Sequence, residues 1–307
     1  MATQEARRTD RTRAASPVGP AAAATARRWR RWLPFSPWHL LLMPVALVFV
    51  LPLVQMVLTS FMDDAEINRF PPRLIPTSLH LGRLHPASGY VGLFTEAPIL
   101  RWLGNTVIVS TISIVAHLVL CSMAGYGFAR LKFPGRGLGF FAVVATIMIP
   151  TQLLMIPTYL MFTRLGVVDT LAAAFVPWLA SAFGIFLMRQ FFLSLPRELE
   201  DAARIDGCST FGVFWRIVLP LAKPALATLA IFTLLGSWND LVWPLIAISD
   251  EHKYTLQLGL TTFQGTRRTQ WSLLMAGNVV ATMPLIAGFV AAQRHFIATM
   301  TFSGLKG

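Results

Sequence analysis

The side chains that could do chemistry lie in two polar stretches of an otherwise apolar chain. The first stretch, residues 195–224, places charges of both signs within two helical turns, at Glu198, Glu200, Asp201 and Arg204. Glu200 and Arg204 are spaced to pair along a helix. The neighbouring Ala202 and Ala203 are small, which permits another surface to dock closely. These residue types favour recognition of a protein surface.

The second stretch lies inside a later apolar run and contains Trp238, Asn239, Asp240 and Trp243. A carboxylate at the bilayer centre costs about 2.5–3.5 kcal/mol, so Asp240 is expected to face a cavity or a partner. Helix geometry places it about 24 Å beyond Pro224, near the far side of a hydrocarbon core of about 30 Å. The indoles and the amide could line a path and bind sugar rings and hydroxyl groups. They could equally pack between helices and anchor at the interface, and both hypotheses stay open.

The elements that position the first stretch are predicted to be two short helices. Pro196 suits a first helical position and Gly207 suits the left-handed residue that ends a helix, which predicts a helix over residues 196–206. Thr210 can cap a second helix, which Pro220 interrupts. Two helices joined at a glycine form a rigid lever.

No motif for catalysis or nucleotide binding occurs in the sequence. The chain contains no G-x-x-x-x-G-K-[ST] phosphate loop, no H-E-x-x-H and no G-x-S-x-G. Its two cysteines, Cys121 and Cys208, indicate neither a disulfide framework nor a metal cluster. No enzyme and no cofactor are therefore predicted, and the energy for any active process must come from another chain.

Composition predicts an all-α integral membrane protein with six transmembrane helices. Of 307 residues, 55% are hydrophobic and only 13% are charged, which is typical of a chain that has the bilayer as its solvent. Long apolar runs predict spans at about residues 40–61, 102–129, 137–163, 170–188, 225–248 and 270–289. The first run is long enough to span and no small-x-small cleavage site follows it, so we expect a retained helix and not a signal peptide.

Three residues within these spans carry further expectations. Pro150 and Pro157 are expected to kink the third span, because proline removes a helical hydrogen bond. His117, in the second span, is expected to hydrogen-bond between helices.

Charge bias predicts the orientation of the spans. On the side of the N-terminus lie 18 of the 26 Lys and Arg residues, which places both termini and residues 193–223 in the cytoplasm and residues 62–101 outside it. Residues 1–36 hold eight arginines without any hydrophobic period and are predicted to be a disordered basic tail. Residues 37–307 then form the transmembrane domain. Topology accounts for the net charge of +12, so no nucleic-acid partner is expected.

The spacing of the first stretch resembles the cytoplasmic loop of permease subunits of binding-protein-dependent ABC importers. That loop carries E-A-A, three residues, G, nine residues and I-x-L-P, and the matching residues are Asp201, Ala202, Ala203, Gly207, Ile217, Leu219 and Pro220. Asp201 replaces the usual Glu and shortens the reach of the charge by one methylene. The alternative is an amphipathic helix that lies on the membrane surface.

Other segments resemble the carbohydrate-type permeases of the maltose transporter kind. They are residues 125–130 with 133–136, 148–150 with 156–157, 236–240 with 243–244, and the terminal 306–307. The resemblance implies a multi-pass protein of the cell (inner) membrane that forms half of the path for a small solute, by preference a sugar or polyol.

The partners that the resemblance implies are a homologous second permease, two ATPase subunits that bind the ATP, and an extracytoplasmic solute-binding protein. Residues 200–204, 207, 217, 219 and 220 would couple to one ATPase. Residues 62–101 would meet the binding protein, or they would only cover the helices, and both alternatives stay open. Membrane lipid would surround the spans. The competing class is an ion-coupled secondary transporter, which should show a titratable site deep in the helix bundle.

Overall fold

The computed structural model describes residues 38–76, 89–265 and 268–303, with side chains described up to residue 290. These residues are helical, apart from turns and a single antiparallel bridge between Gln264 and Thr269. The predicted all-α fold is therefore confirmed. The basic tail that was predicted over residues 1–36 lies outside the described residues, as does the C-terminal segment 304–307.

The chain divides into two units, residues 1–54 and 55–307. The described part of the first unit belongs to α1, and the second unit contains the remaining helices. The α-helices are α1 Trp38–Thr59, α2 Asp64–Ile67, α3 Gly89–Glu96, α4 Ile99–Arg130, α5 Arg136–Ala145, α6 Thr151–Arg164, α7 Leu171–Phe175, α8 Ala182–Ser194, α9 Glu198–Ile205, α10 Thr210–Val213, α11 Leu219–Leu221, α12 Lys223–Trp238, α13 Val242–Ala247, α14 Leu256–Leu260 and α15 Trp271–Ser303. Four 3-10 turns, Thr146–Met148, Val176–Trp178, Glu251–Lys253 and Thr261–Phe263, and one π-helical turn, Phe214–Val218, complete the described elements.

Six membrane crossings are possible within the described residues. Three helical segments are long and apolar enough to cross alone, namely Trp38–Thr59, Ile99–Arg130 and Trp271–Val290. Three bent helix pairs also qualify as single broken spans, namely Arg136–Met148 with Thr151–Arg164, Leu171–Trp178 with Ala182–Ser194, and Thr210–Leu221 with Lys223–Trp238. The last helix, α15, continues beyond the predicted end at residue 289.

The third predicted span bends as expected, whereas the fifth does not form one helix. The third span turns by 102° between its halves, and Pro150 stands at the break, while Pro157 lies inside α6. The prediction of a continuous span over residues 225–248 was wrong, because α12 ends at Trp238. Pro244 cannot donate a backbone hydrogen bond, and its ring would clash with the carbonyl of residue 240 in a continuous helix.

The long helix α4 is the centre of the second unit. It packs against α8 and α12, and Gly125 permits close approach to α8, since a Cβ there would lie 2.8 Å from the Cβ of Met188. Buried side chains near Tyr126 and Phe192 form a cluster at the C-terminal end of α4. A separate buried cluster surrounds Trp102 at the N-terminal end.

The segment that follows α13 is less polar than its sequence indicated. Residues 249–269 lie between the two last apolar runs and carry several charged and polar residues, but α14 within them is buried at Leu256, Leu258 and Leu260. Gly259 makes this burial possible, because any Cβ would overlap the ring of Trp102. The Trp102 Nε1 also donates a hydrogen bond to the Glu251 carbonyl at 3.0 Å. This segment therefore packs onto the N-terminal end of α4.

Candidate functional site

The helix-turn-helix of residues 193–223, which we call the coupling loop after the role that the resemblance implies, forms with small differences from the prediction. Its first helix, α9, begins at Glu198, two residues after Pro196. Gly207 has a φ of +84°, so the predicted left-handed turn is confirmed. The second helix is capped by Ser209, whose side chain accepts a hydrogen bond from the Gly212 amide, and Thr210 is the first residue of the helix.

The second helix of the coupling loop widens before it breaks. A π-helical turn covers Phe214–Val218, and Pro220 follows within α11. Because Pro220 has no N–H, the usual hydrogen bond to the carbonyl of residue 216 cannot form. The chain then bends by 78° into α12, next to Ala222. Pro220 therefore precedes the actual break by two residues.

The two faces of α9 differ in exposure. Glu200 is only 3% exposed and Ala203 only 6%, so both side chains face the rest of the chain. Glu200, one of the residues expected to contact an ATPase, is therefore turned away from solvent. Asp201, Ala202 and Arg204 lie on the exposed face.

Glu200 lies in a buried polar cluster with two side chains of α4. Its Oε1 forms an ion pair with the Nε of Arg130 at 2.7 Å, and each side chain is 4% exposed. Its Oε2 accepts a hydrogen bond from the Tyr126 hydroxyl at 3.1 Å and lies 3.4 Å from the Arg204 guanidinium. Arg130 also donates to the Leu195 carbonyl at 2.6 Å. The predicted pairing of Glu200 with Arg204 is thus present but is the longest of these contacts.

The exposed apolar residues of the coupling loop include several that the motif did not indicate. Ile205 is 87% exposed and Phe211 64% exposed, with Leu199 beside them at 45%. Ile217 and Leu219 of the motif are half-buried against the cluster around Tyr126 instead, and Pro220 is exposed. No separate signal in the sequence marks Leu199, Ile205 and Phe211, because single apolar side chains on a surface are ordinary.

Two of the four candidate path residues pack between helices. The Trp238 indole is buried and donates a hydrogen bond to the Ala281 carbonyl of α15 at 3.0 Å. The Trp243 indole is 1% exposed and donates to the Ala173 carbonyl at 2.8 Å. Both contacts match the packing hypothesis. Asn239 is exposed and donates to the Leu235 carbonyl of its own helix at 2.9 Å.

Asp240 borders a cavity of 390 Å³ within the second unit. This volume falls in the range of about 300–1,000 Å³ that is usual for ligand pockets. Hydroxyl, amide, imidazole and carboxylate groups line the cavity among apolar side chains, at Ser113, His117, Thr151, Gln152, Ser181, Thr233, Ser237, Asp240 and Thr255. Trp238, Asn239 and Trp243 do not line it. The sequence did not reveal this set because its members come from five separate segments.

Two residues of the cavity lining each carry a buried polar atom without a protein partner. The Trp178 Nε1 and the Thr255 Oγ1 make no hydrogen bond within the described residues, and neither atom is exposed to the cavity. A buried unpaired donor or acceptor costs about 1–3 kcal/mol. The His117 Nδ1 lies 3.0 Å from the Ser113 carbonyl of its own helix. The expected hydrogen bond from His117 to another helix is not present among the described residues.

A cluster of three charged side chains joins two connecting loops near the N-terminal end of α4. The Lys253 ammonium lies 3.1 Å from a carboxylate oxygen of both Asp169 and Asp250. Hydrogen bonds from the Asp250 and Ser249 amides, with the Lys253 contact, hold the pKa of the Asp169 carboxyl below its ordinary value. Asp169 itself has a φ of +57°, a conformation that Asp tolerates better than most residues.

The described residues contain no group of three or more His, Cys, Asp or Glu side chains that could hold a metal ion. Cys121 is buried and Cys208 half-buried, and neither forms a disulfide. The polar groups of the cavity suit a neutral ligand with many hydroxyl groups.

Comparison with known proteins gives consistent matches over most of the chain. The family model described as "Binding-protein-dependent transport system inner membrane component" matches residues 118–301. The arabinooligosaccharides transport system permease protein AraQ of Halalkalibacterium halodurans is 38% identical over 266 residues, or 86% of this chain and 93% of that protein. The sn-glycerol-3-phosphate transport system permease protein UgpE of Rhizobium meliloti is 32% identical, over 84% of this chain and 93% of that protein.

A solved structure has the same fold. In the crystal structure of a bacterial ABC transporter involved in the import of the acidic polysaccharide alginate, one chain superposes with a TM-score of 0.73 at 24% identity. The match covers 86% of this chain and 100% of that chain.

Proposed function

This chain belongs to the family of inner membrane components of binding-protein-dependent transport systems, and we propose that it forms half of the path for a neutral sugar or polyol. It is a transport subunit of an ABC importer and not an enzyme. The observation that carries the solute proposal is the cavity of 390 Å³, whose lining combines side-chain hydroxyl, amide and imidazole groups with apolar side chains. A polyhydroxylated solute can bond to donors and acceptors of this lining alike, because each of its hydroxyl groups donates and accepts.

The charge of the cavity wall favours a neutral solute over an anion. Asp240 is the one carboxylate among the lining residues, and the lining contains no Lys or Arg in the part of the chain that the structure describes. An ionised Asp240 would repel a phosphate or uronate group across a poorly solvated cavity. Among the relatives, the name of AraQ denotes an oligosaccharide system and that of UgpE a phosphate ester system. The lining of the cavity suits an uncharged oligosaccharide better than a phosphate ester.

The assembly that we propose follows from the family. A homologous second permease completes the path, two ATPase subunits bind the ATP in the cytoplasm, and an extracytoplasmic binding protein delivers the solute. Both chain termini and the coupling loop lie on the cytoplasmic side, as the charge bias predicts. Residues 62–101 face the binding protein at the opposite side. Lipid contacts the outward faces of the membrane-spanning helices.

The exposed face of α9 is the proposed contact with one ATPase. Ile205 and Leu199 supply apolar area, and Asp201 with Arg204 supplies charges that fix the register. Phe211 extends the apolar surface beyond the Gly207 turn. Ala202 lies on the same exposed face and permits close approach.

Reconstitution of the whole importer in proteoliposomes tests the proposal. An arabino-oligosaccharide is the labelled solute, and its uptake is compared for the wild type, Thr151→Val and Gln152→Leu, with the binding protein and ATP supplied. Both substituted side chains are polar, exposed and part of the cavity lining. We expect ATP-dependent uptake, with KM raised by about tenfold in Thr151→Val, since one hydrogen bond to a polar ligand is lost. Thr282→Val is the matched control, because the Thr282 hydroxyl bonds to the Asn278 carbonyl away from the cavity.

Two results would overturn the proposal. One is an unchanged KM in both cavity variants. The other is uptake that follows an ion gradient without ATP, which is the behaviour of an ion-coupled secondary transporter.

A further inference from the structure

We call the buried group of Glu200, Arg130 and Tyr126 the Glu200 cluster. It joins the coupling loop to α4, which is the longest of the described helices that line the cavity. We infer that this cluster makes α9 and α4 move together, so that motion received by the coupling loop reaches the cavity wall. The inference rests on the proposed function. Glu200 and Arg130 are positioning residues in this role, because neither touches the solute.

The contacts of the Glu200 cluster are specific to one geometry. The Arg130 Nε and the Glu200 Oε1 lie 2.7 Å apart as an ion pair, and neither atom has any other hydrogen-bond partner in the described residues. The second carboxylate oxygen accepts from the Tyr126 hydroxyl at 3.1 Å. A displacement of α9 relative to α4 would therefore separate two buried charges and leave Glu200 with Arg204 of its own helix and Arg130 with the Leu195 carbonyl, which is costly.

Apolar packing around the cluster keeps the two helices in register. The Tyr126 ring meets the rings of Phe192 and Phe214 at centroid distances of 5.9 and 5.1 Å. Phe192 belongs to α8, and Phe214 belongs to the π-helical turn of the coupling loop. Ala203 of α9 is buried in the same cluster. The coupling loop thus rests on a surface that α4 and α8 form together.

Within α9, Glu200 makes the ion pair with another helix, as far as the described residues show. Arg204 pairs with Asp201 and Glu200 of its own helix and also interacts with the Tyr126 side chain. Arg130 adds a hydrogen bond to the Leu195 carbonyl at 2.6 Å. The ionic part of the link between α9 and α4 therefore depends on one carboxylate.

From Arg130 the link continues along α4, which is a continuous helix. α4 runs without a break or a proline from Ile99 to Arg130, whereas three other possible spans are bent pairs. Val109, Ser113 and His117 of α4 line the cavity. Seventeen residues of helix separate Ser113 from Arg130, a distance of about 25 Å. A rigid helix of that length transmits a tilt at one end to side chains at the other.

A stabilising role alone does not explain why the buried ion pair of Arg130 and Glu200 is present. Apolar residues of similar volume often replace a buried ion pair without loss of stability, so the pair is weak evidence for a stabilising role. A directional contact between two elements that must move together is a role that an apolar pair cannot fill, because apolar contacts are not directional. This difference provides the test.

The test compares variants in the reconstituted full importer. Glu200→Gln keeps the shape and the Tyr126 hydrogen bond but removes the charge. The double variant Arg130→Met with Glu200→Leu refills the site with apolar side chains. Glu198→Gln is the matched control, since Glu198 is an exposed acid of the same helix. The measurements are solute imported per ATP hydrolysed, the KM for solute, the melting temperature, and co-purification of the ATPase subunits.

We expect Glu200→Gln to retain the ATPase subunits and the KM for solute, while import per ATP falls by about fivefold or more. The double variant should recover the melting temperature without recovering import per ATP, and Glu198→Gln should match the wild type. Tyr126→Phe, which removes one hydrogen bond and no charge, should lie between the wild type and Glu200→Gln, and it serves if Glu200→Gln does not fold.

The inference is overturned if Glu200→Gln, or Tyr126→Phe when the former does not fold, imports as much solute per ATP as the wild type. Full recovery of import in the double variant would also overturn it, because the cluster would then act only through packing. Either result leaves ATP-dependent uptake by the wild type intact. If the proposed function is wrong, the wild-type importer itself will show no ATP-dependent uptake of the solute.

Discussion

The turn at Gly207 offers a substitution whose effect can be calculated from the backbone alone. Its φ of +84° is a conformation that L side chains rarely adopt, and a Cβ built there would meet no atom within 4 Å. A side chain therefore causes strain without a clash inside this chain. The left-handed conformation costs about 1–2 kcal/mol for an ordinary residue, and asparagine tolerates it better than alanine does.

This cost sets the expected size of the defect. A penalty of about 1–2 kcal/mol lowers the population of the native turn by about 5- to 30-fold relative to alternatives. Gly207→Ala and Gly207→Leu should therefore insert and fold but uncouple ATP hydrolysis from uptake, whereas Gly207→Asn should stay close to the wild type. Import per ATP hydrolysed in the reconstituted importer measures this, with the amount of folded complex as the control.

The order of the variants distinguishes strain from other causes. Equal coupling in the Ala, Asn and wild-type proteins would refute the argument from backbone conformation. A coupling defect in Gly207→Leu that Gly207→Ala does not share would show that Gly207 meets a partner surface. The conformational explanation would then be wrong.

Three further predictions concern packing, electrostatics and selectivity. Gly259→Ala should destabilise the chain by about 1–3 kcal/mol because its Cβ would overlap the ring of Trp102, and it is measured by thermal unfolding with Gly104→Ala, which has open space, as the control. Asp169→Asn should lower the melting temperature near pH 7, because the folded state holds the pKa of Asp169 below its ordinary value and so favours the ionised form. Asp240→Asn should raise the relative uptake of sn-glycerol-3-phosphate several-fold against that of a neutral sugar, since the repelling charge is gone.

Each of these predictions has a contradicting result. An unchanged melting temperature in Gly259→Ala would show that the Trp102 ring moves without cost. For Asp169→Asn, the difference from the wild type must shrink as the pH falls below about 4, where the wild-type carboxylate takes up its proton, and a difference that persists there has another origin. Unchanged discrimination between the two solutes in Asp240→Asn would remove Asp240 from the basis of selectivity.

Much of the helical architecture could be predicted because its signals are local. Apolar runs without charge gave the approximate position of every possible span, and a glycine between a charged helix and a cap gave the Gly207 turn. The interruption of the fifth span was missed, although Pro244 marked it, because the apolar composition continues through the break. The helix α14 was missed because its five residues are too few to show a period.

The candidate site was predicted less well than the helices. The sequence left two roles open for Trp238 and Trp243, lining the path or packing between helices. Their hydrogen bonds to the Ala281 and Ala173 carbonyls match the packing role. Trp178 and Thr255 lie in no motif, yet both residues line the cavity. A cavity is a space between elements, and a linear sequence carries no direct record of which elements enclose it.

The sequence by itself determined that this is a helical membrane protein with a charged helix-turn-helix between apolar segments, because composition, helical period and turn chemistry act over a few residues. Only the tertiary structure decided which way each polar side chain points. Glu200 and Asp201 are adjacent acids with similar local surroundings, but one is buried against Arg130 and the other is exposed. The difference arises because burial depends on the neighbour that packs against a helix, and α4 comes from a part of the chain about 70 residues earlier.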